Sequence, residues 1–137
     1  MSIAVSRLPN TVYLFYTPPN DILSSNESSY WLWNTLENIG RIGLMVSLCI
    51  VVNTSAQYKN RCADAIAVCS LIGYYVLWAA YFIGVFNGIS LVSMAVLPSI
   101  FFLLISWRQR NLFALIFSSI FAAVHITVTS YNFMILL

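Results

Sequence analysis

Long apolar runs separated by short connections are the feature that most constrains what this chain can fold into. Four of the six Lys and Arg residues lie in two of these connections, Lys59 with Arg61 and Arg108 with Arg110. Apolar runs of this length, joined alternately by basic and uncharged loops, are typical of a polytopic membrane protein. Charged residues make up only 7% of the chain, against about 25% in soluble domains.

The pattern predicts an all-α integral membrane protein, folded as an antiparallel four-helix transmembrane bundle. Each crossing of about 30 Å of hydrocarbon needs about 20 residues, and short connections make neighbouring helices antiparallel. The predicted spans are residues 30–53, 62–85, 89–106 and 111–131, within a transmembrane domain over residues 30–137. Residues 1–29 contain Pro18-Pro19 and a Ser-rich tract, which predicts an irregular segment lying on the membrane surface or folded back onto the bundle.

The loop charges also predict an orientation. The basic loops follow the first and third spans, whereas the turn at Asn87-Gly88 is uncharged. Since cytoplasmic loops collect Lys and Arg, both basic loops are expected in the cytoplasm, with both termini and residues 1–29 extracytoplasmic, in the cell or plasma membrane. Trp31 and Trp33 at one end, and Trp107 at the other, fit the aromatic belts at the two interfaces.

Several functional classes have no support in the sequence. The net charge of +2 is too small and too dispersed for nucleic-acid binding. Three Cys without a CxxC pair and a single His support neither a disulfide framework nor a metal site, and we expect no cofactor. GxSxG, phosphate-loop and HExxH motifs are absent, so we expect no enzyme. A membrane enzyme built on Glu37 and His125 is the remaining catalytic alternative.

The first span carries a polar corner. Its uninterrupted apolar run, Ile42 to Val52, covers about 16 Å, so Arg41 lies within the membrane or very near it. Glu37 lies one turn earlier, in the order that favours an ion pair, and Asn34 continues the same face. Two interpretations remain open. The pair is either a structural one that reaches towards the interface, or part of a site for a ligand, ion or partner.

The fourth span carries a polar stripe with helical spacing that should face other helices, because unpaired polar groups in lipid cost several kcal/mol. Its members are Asn111, Ser118, Ala122, His125, Thr129 and Asn132. His125 is either a hydrogen-bonded interior residue or a proton-handling group. Because the depths of Arg41 and His125 match and the first helix should pack on the last, we predict one polar, outward-opening recess. The recess residues are Asn34, Glu37, Arg41, His125 and Thr129.

One face of the second span is formed by small residues, which let helix backbones approach closely. We expect this face to pack against the first or third helix, with a seam between two copies of the chain as the alternative. The small residues are Ala65, Cys69, Gly73, Ala80 and Gly84.

Two functions from different classes remain. The first is a non-catalytic bundle that contacts a membrane-protein partner or a second copy through its helices or its extracytoplasmic part, in an accessory, immunity-type or assembly role. The second is a small transporter or channel that works as an oligomer and handles a solute or ion in the polar recess. Flux through liposomes would separate them. In both cases the lipid bilayer surrounds the chain.

Overall fold

Four long helices and one short turn account for most of the structure, a computed structural model that describes most residues from Thr11 to Phe133.

 The described ranges are 11–13, 15–16, 18, 21–51 and 60–133. The helices are α1 (Trp31–Ile50), α2 (Arg61–Phe82), α3 (Gly88–Arg108) and α4 (Leu112–Phe133), preceded by a 3₁₀ turn at Leu23–Ser25. No strand occurs in these ranges.

Three of the helices, α2, α3 and α4, are long and apolar enough to cross a membrane. The prediction of an all-helical fold with long apolar helices that could span a membrane is therefore confirmed for the part of the chain that the structure describes. α1 has 20 residues, about 30 Å of helix, but it does not belong to this group because its first half carries Asn34, Glu37 and Arg41.

The helix ends are set by local hydrogen bonds. The Asn60 side chain accepts the backbone N–H groups of Cys62 and Ala63 at the start of α2, and Asn87 forms a capping box with Ser90 at the start of α3. Such side chains satisfy backbone donors that have no partner within the helix. These caps place the observed helix starts within one residue of the predicted spans.

The helices pack in the order α2, α3, α4, α1, whereas α1 and α2 make little direct contact. Two polar contacts join helix ends. Asn111 Nδ2 donates to the carbonyl oxygens of Ser47 (2.9 Å) and Val51 (3.1 Å), which ties the start of α4 to the end of α1. Arg108 at the end of α3 pairs with Asp64 in the first turn of α2, at 2.9 Å.

A cluster of aromatic side chains on α2 forms part of the core. Buried rings of α2 pack around Trp78, with Tyr74 and Tyr81 both edge-on to its indole. Tyr13, Ile22 and Leu23 of the N-terminal segment pack against this cluster. The described part of that segment is therefore folded back onto the helices.

The predicted packing face of α2 needs correction. Ala65, Cys69 and Gly84 are exposed, Gly73 and Ala80 are half-buried, and the opposite aromatic face is the buried one. A Cβ at Gly73 would meet only the Leu97 side chain.

Gly84 has a separate role, at the end of α2. Its φ is +80° and its N–H donates to the carbonyl of Tyr81, while the N–H of Val85 donates to that of Ala80. This is the geometry in which a glycine ends a helix, and a Cβ at Gly84 would have no neighbour within 4 Å. Gly84 therefore ends α2 and does not serve to let a neighbouring helix approach closely.

Candidate functional site

A close approach between the backbones of α1 and α4 brings polar residues of the two helices together. A Cβ placed on Gly40 would lie 2.8 Å from the backbone nitrogen of Phe121, so only glycine allows this separation. Glu37 is one turn from Gly40 on α1, and His125 is one turn from Phe121 on α4. The two side chains therefore lie within hydrogen-bonding distance of each other. Glycine at position 40 is thus a local cause of the site's geometry.

Glu37 is the centre of the polar group. Its Oε1 accepts a hydrogen bond from Arg41 Nη2 and lies 3.1 Å from His125 Nδ1. The Glu37 side chain is only 10% exposed, against 22% for His125 and 47% for Arg41. The carboxylate is therefore held in place, whereas the guanidinium has room to move.

Phe121 lies beneath both basic side chains. The His125 ring stacks on it with centroids 4.9 Å apart and an interplanar angle of 15°, and Arg41 Cζ lies 5.9 Å from its centroid. A guanidinium at this distance is attracted by the negative face of the ring. Arg41 therefore has two partners, the Glu37 carboxylate and the Phe121 ring.

A cavity of about 440 Å³ lies beside this group and is lined by residues of all four helices and of the N-terminal segment. Glu37, Arg41 and His125 contribute a polar wall, and Thr129 lies farther along α4. The rest of the lining is mainly apolar and aromatic. It includes Met45, Tyr74, Trp78, Met94, Pro98 and Phe102.

The N-terminal segment is fastened to α2 by a hydrogen-bonded cluster. Tyr81, which is fully buried, accepts the backbone N–H groups of Ile22 and Leu23 at 3.1 Å each. Its hydroxyl donates to Asp21 Oδ1 at 3.0 Å, and Tyr13 donates to the same oxygen at 2.6 Å. One carboxylate thus joins two parts of the segment to the end of α2.

These bonds also shift the pKa values of Asp21 and Tyr13 in the N-terminal segment. Burial alone would raise the pKa of Asp21, but hydrogen bonds from Tyr13, Tyr81 and Ser24 outweigh it and lower that pKa. Burial, together with the hydrogen bond to Asp21, raises the pKa of Tyr13. The ionised Asp21 and the neutral Tyr13 are therefore the forms that favour docking.

The same segment also reaches α4. Asn26 Nδ2 donates to Thr129 Oγ1 at 2.9 Å, and Asn132 Nδ2 donates to Asn26 Oδ1 at 2.9 Å. Together with the Asp21 cluster, these bonds connect α2 to α4 across one end of the cavity. We call residues 21–27 the strap.

Of the five predicted recess residues, Glu37, Arg41, His125 and Thr129 all line the cavity. Asn34 does not. Its side chain accepts the backbone N–H of Ser28 and donates to the carbonyl of the same residue, both at 2.9 Å, in the turn before α1. Of the α4 stripe, Asn111, Ser118, Ala122 and Thr129 are buried, as the helical spacing predicts.

Two parts of the site were missed by sequence reasoning. The aromatic wall arises because Tyr74 and Trp78 point into the bundle. The sequence instead predicts that the small residues of α2 lie on the inward face. The strap depends on Asp21 and Tyr81, which are 60 positions apart along the chain. No local pattern marks such a pair.

The side chains at the site offer charged, polar and aromatic contacts. A buried carboxylate, a half-exposed guanidinium, an imidazole and several aromatic rings can hold a charged or polar molecule. Within the described ranges, no group of three His, Cys, Asp or Glu residues could hold a metal ion. No protein-family model matches the chain, and neither a curated protein nor a solved structure matches it.

Proposed function

We propose that this chain is an antiparallel four-helix transmembrane bundle in which α1 is the fourth span. The support lies on the outer face of α1, where exposed apolar residues recur at helical spacing: Ile39, Ile42, Val46 and Ile50. This stripe suits contact with lipid along most of the helix. The Asn111 and Arg108 contacts, which join the start of one helix to the end of another, support the antiparallel arrangement.

The bundle has its basic loops in the cytoplasm and residues 1–29 on the extracytoplasmic side of the cell membrane. The positions of Arg61, Arg108 and Arg110 at one end of the helices support this orientation. An impermeant thiol reagent tests it. A cysteine introduced at Ser28 should react from outside and native Cys62 only from the cytoplasm. The opposite labelling pattern would invert the orientation.

The protein binds a small solute in the cavity and acts as a small transporter or channel. The observation that carries this proposal is the buried Glu37 carboxylate in the wall of a cavity of about 440 Å³. Ligand sites are concave, mostly apolar and furnished with a few polar groups, and they have volumes of about 300–1,000 Å³. A purely structural ion pair would not need such a volume beside it.

A second candidate is the accessory or assembly role, in which the chain contacts a membrane-protein partner or a second copy of itself. The observation in its favour is the exposure of Ala65 and Cys69 on the outer face of α2. Small residues on a lipid-facing surface allow another helix to approach closely.

Flux through liposomes separates the two candidates. The purified protein is reconstituted and tested with a panel of cationic, anionic and neutral solutes. Ala95→Phe places a ring in the cavity wall, while Ala79→Phe places the same ring on the exposed face of α2. Solute-dependent flux that Ala95→Phe abolishes and Ala79→Phe preserves supports the transporter. Absence of flux for every solute, with one membrane protein co-purifying, supports the accessory role.

A further inference from the structure

The cavity combines aromatic faces with one buried negative charge. Tyr13, Tyr74, Trp78, Phe102 and Phe121 all contribute to its lining, in addition to the Glu37 carboxylate. Aromatic rings attract cations through their negative faces, most strongly where water is excluded, and they are the usual surroundings of quaternary ammonium groups in proteins. The lining therefore favours a positively charged ligand with an apolar body.

Arg41 already makes the contacts that such a ligand would make. Its guanidinium bonds to Glu37 Oε1 and lies 5.9 Å from the centroid of the Phe121 ring. Because its side chain is 47% exposed, on a long and flexible stem, it can leave this position more easily than the Glu37 carboxylate, which is 10% exposed. An incoming anion would instead meet a carboxylate that cannot withdraw.

We propose that the cavity binds organic cations and that Arg41 is a built-in competitor, which the ligand displaces from Glu37 and Phe121. This inference rests on the proposed function, because it names the class of solute that the cavity takes. His125 keeps its contact with Glu37 when Arg41 leaves, so the carboxylate retains one partner during the exchange.

The test is isothermal titration calorimetry of the purified protein with benzyltrimethylammonium, compared with its uncharged isostere neopentylbenzene. The wild-type protein should bind the cation at least about tenfold more tightly than the isostere, since only the cation gains from the rings and the carboxylate. Arg41→Gln should tighten cation binding by about tenfold, because the competitor is removed. Arg61→Gln removes a cation outside the cavity and should leave the affinity unchanged.

Glu37→Gln should reduce the preference for the cation over the isostere. Because this variant leaves Arg41 without its acidic partner and could unfold, the double variant Glu37→Gln with Arg41→Gln is measured beside it. The double variant should keep its fold and show a smaller preference for the cation than the wild-type protein, because only the aromatic rings still favour the positive charge.

Two results would overturn the inference: equal affinity of the wild-type protein for the cation and its isostere, or weaker cation binding by Arg41→Gln. Failure of the proposed function would look different, because no solute of any charge would then cross liposomes. Flux of a neutral or anionic solute that Ala95→Phe blocks, without cation binding, would refute the cation class alone.

Discussion

Replacing Gly40 with Ala should force α1 and α4 apart. The added Cβ would lie 2.8 Å from the Phe121 nitrogen and 3.0 Å from its Cα. Reaching an ordinary contact of 3.4 Å requires a separation of about 0.6 Å, and backbone atoms cannot rotate away as a side-chain tip can. Overpacking of this kind costs about 1–3 kcal/mol, against a gain in helix propensity of about 1 kcal/mol.

The expected net loss in the free energy of unfolding is about 1 kcal/mol, within a range of about 0–2 kcal/mol, seen as a melting temperature lower by about 4 °C in detergent. Gly73→Ala is the matched control, because the added Cβ would meet only the side chain of Leu97, whose Cδ1 atom lies 3.0 Å away and can shift. That variant should melt at or slightly above the wild-type temperature, because it gains the same helix propensity without a backbone clash. Equal melting temperatures for the two variants would refute the close approach at Gly40.

Three other perturbations test separate parts of the structure. Arg110 has a φ of 49°, a conformation that glycine adopts without strain. Arg110→Gly should therefore raise the free energy of unfolding by about 1 kcal/mol, whereas Arg110→Ala should not. Equal melting temperatures for the two variants would contradict this. Because the pKa of Asp21 is lowered in the folded protein, its contribution to stability is present above the ordinary value of 3.8 and is lost as the pH falls through the lowered pKa. The melting-temperature difference between wild type and Asp21→Asn should therefore disappear in acid, whereas a pH-independent difference would refute the role of the carboxylate. Arg41→Gln should lower the free energy of unfolding by about 1–2 kcal/mol, since the Arg41–Glu37 pair is partly exposed. Adding Glu37→Gln should restore most of this loss. Additive losses in the double variant would rule out coupling between the two side chains.

The sequence was sufficient to predict the helices and the packing of α1 against α4. Apolar runs and polar connections mark helices in a membrane protein because every backbone polar group in lipid must be satisfied within the segment. The meeting of the Glu37–Arg41 pair with His125 follows from the matching depths of Arg41 and His125 and from the packing of α1 on α4. That these residues form a binding site stays a prediction.

The inward face of α2 could not be predicted from hydropathy. Small and aromatic residues are both compatible with lipid, so neither face of the helix is required to turn inward. Tyr74 and Trp78 fill a volume beside the cavity that small residues would leave empty, and this depends on the spacing of all four helices. The strap could not be predicted from the sequence either, since the hydrogen bond between Asp21 and Tyr81 forms only after α2 is in place.

The water accessibility of the cavity tests the central claim most directly. Met45 lines the cavity, whereas its neighbour Val46 is 48% exposed on the outer face of α1. In a background with Cys49, Cys62 and Cys69 replaced by Ser, a charged, impermeant methanethiosulfonate applied from outside should modify Met45→Cys at least about tenfold faster than Val46→Cys, because the thiolate forms only in contact with water. Equal rates, or modification of Met45→Cys from the cytoplasmic side alone, would contradict an outward-opening cavity.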